Sequence, residues 1–470
     1  MTFPVYPDYR DSGVEWLGIV PEHWVVKQLR YLGRFRKGLT ITKADLTDTG
    51  IPCLNYGEVH SLYPFEVNQD IQVLKCVPTE YMETEPSSCI SYGDIVFADT
   101  SEDLEGVGNF THVSGLEPLF AGYHTIIYSL DSDVSSRFLA YCLESFSFRT
   151  QLRMGVKGVK VFSVTQEILR GGIAWLPTMA EQTQIARFLD HETARIDALI
   201  EEQQRLIELL KEKRQAVISH AVTKGLDPTV PMKDSGVEWL GEVPAHWAIK
   251  RLKQLVLDAA GIQMGPFGGM LVDLDDSDTG YKVYGQENTI SGDFSSGNRW
   301  IPESRYVALS NYYLEVGDIV LTRKGSLGNC RRISLLPQAG IIDSDTIRVR
   351  VQSQIINPDY LELLLHEAGY ISTQLGLVKR GAILSGLNSE IIANLVIVVP
   401  PPEGQEELLL EIKAASSRFD QGISDCEHAV GLLRERRSAL ISAAVTGKID
   451  VRGWQPPAGA TSPELAQEAM

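Results

Sequence analysis

The eight residues DSGVEWLG occur twice in this chain, at 11–18 and at 234–241. The offset that carries Asp11 onto Asp234 also carries VPEHWVVKQL onto VPAHWAIKRL, and LLKEKRQAVISHAVT onto LLRERRSALISAAVT. We call this shift in residue number between the two copies the repeat offset. Across 11–32 against 234–255, 15 of 22 positions are identical. One offset shared by such distant segments indicates that a whole structural unit is duplicated. The unit is far longer than a solenoid repeat, so the repeat is of domain size.

The composition is that of a folded protein with no membrane segment. Of its 470 residues, 44% are hydrophobic and 22% charged, which suits two to four packed domains. No apolar run reaches the roughly 20 residues of a membrane helix, and the opening MTFPVYPDYRDSG has no apolar signal core. The six cysteines are scattered without a C-x-x-C pair, which favours reduced thiols. We therefore expect a cytoplasmic protein.

The charge distribution leaves a nucleic-acid partner open. The net charge of −18 argues against such a partner. Lysine and arginine are nevertheless concentrated in three segments, 25–43, 149–160 and 323–332. Each cluster is explained about equally well as an ordinary solvated face. Phosphate contact requires only local basic surface, so the total charge does not exclude DNA binding.

Two segments, 177–225 and 400–449, are predicted to form long helices. A narrow apolar seam of heptad period runs along each, which is typical of a coiled coil rather than of a helix on a broad core. Gly225 and Gly447 are placed to end the two helices. The seam residues are Leu189, Ile196, Leu199, Leu206, Leu210 and Val217 in the first, interrupted by Gln203, and Ile412, Phe419, Cys426, Leu433 and Leu440 in the second.

Two equal halves are most simply arranged about a pseudo-twofold axis. The two helices would then pair antiparallel through their seams. We call the repeated motif at the start of each half, within 1–32 and 226–255, the box. The regions between boxes and helices would lie at opposite ends of the helix pair. The alternative is that each helix packs only on its own half. We favour the pair, because neither seam is wide enough to bury a helix in a globular core.

The regions between boxes and helices have an α/β pattern. YGDIVFADT and VGDIVLTRK are short apolar strands that enter polar loops, and GGIAWLP and NLVIVVP are strands ended by proline. The predicted fold is α/β (α+β), with two domains separated by two long antiparallel helices in a coiled coil, as a pseudo-twofold internal duplication. The expected order is repeat box 1–32, domain 33–176, helix 177–225, linker and second box 226–255, domain 256–399, helix 400–449 and flexible tail 450–470.

The two copies diverge unevenly. Boxes and helix ends match closely, whereas the loops ADTSEDLEGVGNF and TRKGSLGNCRRI do not. Duplicated parts that stay alike indicate two equivalent docking sites for two copies of one partner. Duplicated parts that differ indicate that the two copies recognise two different targets.

We find no catalytic, cofactor or metal motif. The chain has no Walker loop, no [DNS]-P-P-[YFW] motif of amino-group methyltransferases and no histidine spacing of the H-E-x-x-H type. Glu411 and Lys413 have no Pro-Asp nearby that would complete a nuclease metal site. The turn GPFGG is a weak candidate for backbone contact with a phosphate.

The repeated motifs resemble those of the specificity subunits of Type I restriction–modification enzymes. The resemblance is carried by the doubled DSGVEWLG…VP.HW..K.L, by EQ..IA.FLD at 181–190, by the repeated LL.E.R.A.IS.AVT, and by KGLTITKADL. It covers nearly the whole chain except the tail. The second helix start, PPPEGQEELLLEI, departs from the family pattern and keeps only part of EQ, so the pattern alone does not give that helix boundary.

The resemblance implies a non-catalytic subunit with two target-recognition domains, each reading one half of a bipartite site in double-stranded DNA. The paired helices would set the gap between the halves. Two modification subunits using S-adenosylmethionine would dock on the shared regions, and restriction subunits using ATP and Mg²⁺ would join them. No cofactor is expected on this chain itself.

Candidate contact residues follow from side-chain chemistry, since basic side chains contact phosphates and amides read base edges. The alternative for each of them is an ordinary surface residue without a DNA contact. For DNA they are Lys37, Lys43, Asn55, Tyr56, Lys157 and Lys160 in the first domain, and Gln286, Asn288, Arg323, Lys324, Asn329, Lys379 and Arg380 in the second. For partner subunits they are Trp16, Trp239, Arg214 and Arg437.

Two other classes of function compete with this interpretation. A scaffold that joins two partner proteins would show no sequence-dependent binding of DNA by the complex. A stand-alone nuclease would cut DNA by itself with a metal ion, and no motif supports that class.

Overall fold

The chain forms two compact units, each with one globular region and parts of both long helices. The first comprises Met1–Gln203 and His428–Met470, and the second comprises Gln204–Glu427. The structure is a computed structural model. It describes residues 3–131, 133–158, 160–271, 274, 279–323, 329–381 and 386–457.

The elements up to residue 224 build most of the first unit. Its strands are β1 (Tyr9–Asp11), β2 (Ile19–Pro21), β3 (Val25–Gln28), β4 (Gly33–Lys37), β5 (Ile51–Leu54), β6 (Phe65–Val67), β7 (Cys76–Val77), β8 (Cys89–Ile90), β9 (Ile95–Ala98), β10 (Thr100–Ser101), β11 (Phe110–Val113), β12 (Leu119–Ala121), β13 (Thr125–Leu130), β14 (Phe162–Ser163) and β15 (Ile173–Leu176). The helices are α1 (Tyr81–Thr84), α2 (Ser136–Glu144), α3 (Phe146–Gly155), α4 (Gln166–Gly171) and α5 (Met179–Lys224).

The remaining elements build most of the second unit. Its strands are β16 (Met232–Asp234), β17 (Glu242–Pro244), β18 (Ala248–Arg251), β19 (Ile262–Met264), β20 (Tyr281–Tyr284), β21 (Trp300–Ile301), β22 (Ile319–Thr322), β23 (Cys330–Arg332), β24 (Gly340–Ile342), β25 (Thr346–Val349) and β26 (Val396–Val399). The helices are α6 (Gln286–Ser291), α7 (Glu303–Ala308), α8 (Pro358–Glu367), α9 (Gly369–Gly381), α10 (Ser389–Ala393) and α11 (Pro402–Val445).

The globular regions are built on mixed sheets, as the α/β (α+β) prediction requires. In the first unit one sheet has the order β4-β13-β9-β11-β6 and another the order β7-β5-β12-β8. In the second unit the sheets are β19-β25-β22-β23 and β21-β20-β24. Parallel pairs, such as β5 with β12 and β20 with β24, lie beside antiparallel pairs. Each unit also has a two-stranded sheet that joins its box to the strand before a long helix, β3 with β15 and β18 with β26.

The box tryptophans form the cores at the bases of the globular regions. Trp24 is fully buried and Trp247 is 5% exposed. Trp24 packs with Trp175 of β15 and Val445 of α11, and the Nε1–H of Trp175 donates a hydrogen bond to the carbonyl of Val445. Trp247 packs with Val222 of α5 in the second unit. Each globular region is thus fixed to the end of a long helix.

The duplication extends through the secondary structure. The repeat offset superimposes β3 on β18, β15 on β26 and the starts of α5 and α11, at Met179 and Pro402. Gln182 and Gln405 are both buried, and both donate to the carbonyl of the proline that precedes the helix. The glutamine of the EQ pattern therefore has the same role in both copies.

Within each unit the two long helices run antiparallel. In the first unit, Gln184 donates to the carbonyl of Val451 in the segment that follows α11, and Asp197 pairs with Arg437 of α11 at 2.9 Å. In the second unit, Leu210 lies beside Gly422, and Arg214 pairs with Asp420 at 3.0 Å. Rising numbers on α5 meet falling numbers on α11, which confirms the predicted antiparallel pairing. Gly225 and Gly447 follow the two helix ends with φ of +81° and +70°, as expected of residues that end a helix.

The predicted heptad seam is partly wrong in α5. Leu189 and Ile196 are buried, but Leu199 and Leu206 are 45% and 41% exposed. A second row of inward-facing residues instead lies four positions after the row that contains Leu189, Ile196 and Gln203. It includes Ile207, which is 8% exposed. A spacing of four rather than three rotates that row to the other side of the first. In α11 the predicted row holds, with Ile412 and Cys426 buried and Phe419, Leu433 and Leu440 half-buried.

The expectation of a flexible tail is wrong for residues 450–457. Val451 is 1% exposed, and Trp454 packs edge-to-face on Phe188 with ring centroids 5.3 Å apart. The backbone N–H of Asp450 donates to the carbonyl of Pro4 at 2.8 Å. Apolar side chains in this segment gain more from burial than the short chain loses in freedom. Residues 458–470 of the predicted tail lie outside the described part.

Candidate nucleic-acid interface

Strands of both sheets end along one edge of each globular region, which we call the loop edge. Side chains on loops held by a rigid sheet are well placed for recognition. In the first unit β4, β5, β9 and β12 are followed there by Gly38, Asn55, Asp99 and Gly122. In the second unit β19, β20, β22 and β24 are followed by Gly265, Gly285, Arg323 and Asp343.

Backbone hydrogen bonds show that the two loop edges share one frame. The N–H of Asp99 donates to the carbonyl of His124 at 3.1 Å, and the N–H of Arg323 donates to the carbonyl of Asp345 at 2.9 Å. In both units the donor follows the central strand and the acceptor precedes the next one. Asp99 and Arg323 therefore occupy equivalent positions.

Two glycines are required at this edge by close backbone approach. A Cβ added at Gly38 would lie 2.2 Å from the carbonyl oxygen of Gly122. One added at Gly265 would lie 1.6 Å from the carbonyl oxygen of Asp343. Close backbone approach therefore explains why Gly265, the first residue of the GPFGG turn, is a glycine. Gly265 is equivalent to Gly38 of KGLTIT in the first unit.

The loop edge of the first unit is acidic. The carboxylate of Asp99 lies 3.1 Å from Nδ1 of His124, whose backbone has a left-handed φ of +55°. Burial raises the pKa of the Tyr56 hydroxyl, and the carboxylates of Glu102, Asp103 and Asp99 raise it further. These groups surround a phenol that faces the loop edge. A single π-helical turn at Glu58–Leu62 follows it, a feature frequent at functional sites.

The loop edge of the second unit is built around arginines. The guanidinium of Arg323 lies over the ring of Phe267 at 5.1 Å and donates to the carbonyls of Leu387 at 3.3 Å and Ser344 at 3.2 Å. Phe267 is 53% exposed, so the stacked pair is at the surface.

A second arginine bridges two loops of this edge. Arg299 pairs with Glu287 at 2.6 Å and with Asp343 at 3.1 Å. Burial opposes the charged form of Arg299, but the two carboxylates outweigh it and raise the pKa of the guanidinium. Arg299 therefore stays cationic beside the end of β24.

Five of the predicted DNA contacts in the first domain are accessible. Lys37 is exposed and directly precedes Gly38, and Tyr56 is half-buried on the loop edge. Lys157 and Lys160 are exposed on the segment that leads into β14, whose partner β10 begins directly after Asp99. Lys43 is exposed in a short 3₁₀ turn.

The structure argues against two predicted base readers, because both asparagines are buried. Asn55 is 1% exposed, and its Nδ2 donates to the carbonyl of Cys53 at 3.2 Å. Asn288 is also 1% exposed, and its amide bonds to the N–H of Gly285 and to carbonyls of the loop 293–296. A buried amide holds its loop together because leaving its polar atoms unpaired would be costly. We do not retain either residue as a DNA contact.

Of the other predicted contacts of the second domain, some lie within the part of the chain that the structure describes and some lie outside it. Gln286 directly follows Gly285 on the loop edge, and Asn329 precedes β23; both are half-buried. Lys324 lies outside the described residues. Lys379 and Arg380 fall within α9, and their side chains lie outside the description.

Asp99, His124 and Arg299 were missed at the sequence level. Aligning YGDIVF with VGDIVL places Asp99 opposite Arg323, which would have identified the pair. That alignment needs an offset one position longer than the repeat offset, because the loops between the strands differ in length.

Comparison with known proteins gives a consistent result. No family model matches the chain. It is 21% identical over 458 residues to the EcoKI specificity subunit of Escherichia coli, spanning 95% of this chain and 93% of that protein. It is 20% identical over 443 residues to the putative MjaX specificity subunit of Methanocaldococcus jannaschii (93% and 96%), and 22% identical over 468 residues to the StySPI specificity subunit of Salmonella potsdam (95% and 93%).

The chain resembles Type I restriction specificity subunits over nearly its whole length. Solved structures agree in fold. One, described as the structural basis of complex assembly and conformational transition of the type I R-M system, matches with a TM-score of 0.67 at 15% identity, covering 92% of this chain and 99% of that one. The HsdS subunit from Thermoanaerobacter tengcongensis matches with a TM-score of 0.51 at 16% identity, covering 92% and 98%.

The resemblance to specificity subunits agrees with the prediction of a subunit without its own catalytic centre. Within the described residues, no group of three or more His, Cys, Asp or Glu side chains is arranged to hold a metal ion. No helix in the same part of the chain has the length and apolar character that crossing a membrane requires.

The arginines predicted to bind partner subunits make intramolecular ion pairs. Arg214 pairs with Glu367 at 2.9 Å as well as with Asp420, and the hydrogen bonds from Arg214 lower the pKa of Glu367. Arg437 pairs with Asp197. Because the repeat offset relates these two arginines, and also the two aspartates, the same contact occurs once in each unit.

The predicted partner tryptophans stand on the surfaces of the two boxes. Trp16 is half-buried against the core of the first unit. Trp239 is 37% exposed and stacks parallel to Tyr370, with ring centroids 6.2 Å apart. Both leave some aromatic surface available to a partner.

Proposed function

We propose that this chain is the DNA sequence-recognition subunit of a Type I restriction–modification complex. The loop edge of the first domain reads one half of a bipartite double-stranded site, and that of the second domain reads the other half. Of the predicted contacts, we retain Lys37, Lys43, Tyr56, Lys157, Lys160, Gln286, Arg323, Lys324, Asn329, Lys379 and Arg380.

The observation that carries the proposal is one backbone frame with two different sets of side chains. Asp99 and Arg323 hold equivalent positions, yet one is an acid and the other a base. A duplicated frame with unlike loops suits two different half-sites, since base edges are distinguished by their donors and acceptors. The full-length resemblance to specificity subunits supports the same conclusion.

The parts that the copies share suit the docking of partners. We propose that two modification subunits, which would carry S-adenosylmethionine, bind the repeated boxes and helix ends, where Trp16 and Trp239 are accessible. Restriction subunits, with ATP and Mg²⁺, would complete the complex. The antiparallel helices α5 and α11, about 65–70 Å long at 1.5 Å per residue, would set the gap between the half-sites.

The decisive experiment replaces residues 33–176 by the corresponding domain of another specificity subunit. The complex with modification subunits is expressed, and methylated adenines are mapped across the DNA of the host. We expect one half of the methylated motif to change and the other half to remain. A change in both halves, or in neither, would refute independent reading.

The same complex also distinguishes a recognition subunit from the competing hypothesis of a scaffold. A scaffold predicts no sequence-dependent binding of DNA by the complex, whereas a recognition subunit predicts a motif that follows the exchanged domain. Insertion of one heptad within 199–210, matched by one in the facing part of α11, should lengthen the gap. An unchanged gap would remove the spacer role.

A further inference from the structure

The equivalent positions held by Asp99 and Arg323 are fixed by more than one contact. The N–H of Val164 donates to the carbonyl of Asp99 at 2.7 Å, and the N–H of Leu387 donates to the carbonyl of Arg323 at 2.9 Å. Together with the bonds to His124 and Asp345, which directly precede β13 and β25, these contacts hold the backbone on both sides. The side chains at 99 and 323 therefore leave the two frames at the same place.

The hydrogen-bonding capacities at this position are opposite. Asp99 is an acceptor, and its side chain is 33% exposed beside His124, which is 61% exposed. Arg323 has five N–H donors and no acceptor. Among the contacts of the described residues, two of those donors are engaged, by Leu387 and Ser344. Stacking on Phe267 and these two bonds hold the guanidinium in one orientation, which lowers the cost of ordering it on DNA.

Base edges in the major groove discriminate between these two capacities. Guanine presents the acceptors N7 and O6, which suit a bidentate arginine, whereas cytosine and adenine present amino groups that suit a carboxylate. We propose that the residue at this position sets the polarity of each half-site. Arg323 reads a guanine in the half-site of the second domain, and Asp99 accepts from an amino group of cytosine or adenine in the half-site of the first.

This inference rests on the proposed function and goes further, because it assigns one base to one residue. It also replaces a phosphate role for Arg323 by base reading. Loss of a phosphate contact weakens binding but leaves the discrimination of guanine intact, whereas loss of a base contact abolishes that discrimination at one position. Arg323→Ala therefore separates the two roles.

The test uses the full chain in complex with its modification subunits and a duplex carrying the mapped motif. Each guanine of the half-site assigned to residues 256–399 is replaced in turn by 7-deazaguanine, which lacks N7. At one position we expect the unaltered complex to lose about ten-fold in affinity. The Arg323→Ala complex should bind the unmodified duplex more weakly and lose nothing further at that position.

Asp99→Asn is the matched control. It should retain the full sensitivity to 7-deazaguanine in the second half-site, and it should lose discrimination at one position of the first half-site. Hydrogen exchange of the two variants verifies that the units remain folded.

Two results would overturn the inference while leaving the proposed function intact. One is sequence-specific binding that is insensitive to every 7-deazaguanine. The other is an Arg323→Ala complex that keeps the sensitivity of the unaltered one, because another residue would then read that guanine. Absence of any sequence-specific binding would overturn the proposed function together with the inference.

Discussion

The boxes of the two units have stayed alike, whereas their loop edges have diverged. Arg10 donates to the carbonyl of Trp24, and Lys233 makes the same contact with Trp247. At the loop edge, Asp99 stands where Arg323 does. Box residues hold the globular region to the helices and have few alternatives. Loop side chains on an intact sheet can change without cost to the frame, so specificity can diverge while the fold is kept.

The units also differ in how the box follows the helix. In the second unit, the chain runs without a break from α5 through residues 225–231 into the second box. In the first unit, the end of α11 meets the first box only through non-covalent contacts. Tyr9 donates to the carbonyl of Gly447 at 2.8 Å, and Asp450 donates to Pro4. The first unit therefore depends on packing where the second has a peptide chain.

The largest expected effect tests whether the two box cores are equivalent. Trp24→Ala should lower the local free energy of opening in the first unit by about 3–5 kcal/mol, because a buried indole is replaced by a cavity. Trp247→Ala should do the same in the second unit only. Hydrogen exchange of backbone amides, read separately for each unit, measures both. A loss spread equally over both units by either variant would contradict separate cores.

The next test concerns a contact of the C-terminal segment in the first unit. Trp454 packs on Phe188 and lies near the ring of His191, with centroids 5.3 Å apart in both cases. Trp454→Ala should therefore loosen the C-terminal segment, whose Asp450 bonds to Pro4, and weaken protection of the first box by about 2 kcal/mol. Trp239→Ala, at a more exposed position in the second unit, is the control and should cost less. Equal protection in the Trp454 variant would mean that the C-terminal segment does not hold the first box.

A smaller effect separates the two repeated arginines. Arg214 bonds to two carboxylates, whereas Arg437 bonds to Asp197, which is 50% exposed. Arg214→Ala should cost about 1–2 kcal/mol in its unit, and Arg437→Ala about 0.5 kcal/mol in the other. Urea unfolding followed by hydrogen exchange gives both values. The reverse order would show that exposure does not govern these pairs.

The smallest effect is a pH dependence confined to the second unit. Hydrogen bonds from Arg214 lower the pKa of Glu367 from its ordinary value of 4.5. The pair therefore contributes its full stability above that pH, and the contribution is lost as the pH falls below it. We expect a loss of less than about 0.5 kcal/mol on acidification. Glu367→Gln should abolish this part of the pH dependence, and a variant with the unaltered pH profile would contradict it.

Much of the framework could be predicted from the sequence because it depends on repeated local patterns. The repeat offset predicted a duplication, and the strands before α5 and α11 and the glycines that end these helices lie where expected. These features depend on hydrophobic periodicity and backbone preference, which are properties of a few neighbouring residues.

Which polar residues face outward was settled only by packing. Asn55 and Asn288 read as surface amides, but both are buried. The amide of Asn55 donates to Cys53 of the strand that precedes it, and that of Asn288 donates to the loop 293–296. Leu206 and Ile207 are both apolar neighbours, yet Leu206 is 41% exposed and Ile207 only 8% exposed in the folded chain. The sequence by itself thus determined that this chain is two copies of one fold joined by long helices. The tertiary structure decided which side chains meet at each loop edge, because contacts between Asp99 and His124, or Arg323 and Phe267, join segments that no local pattern connects.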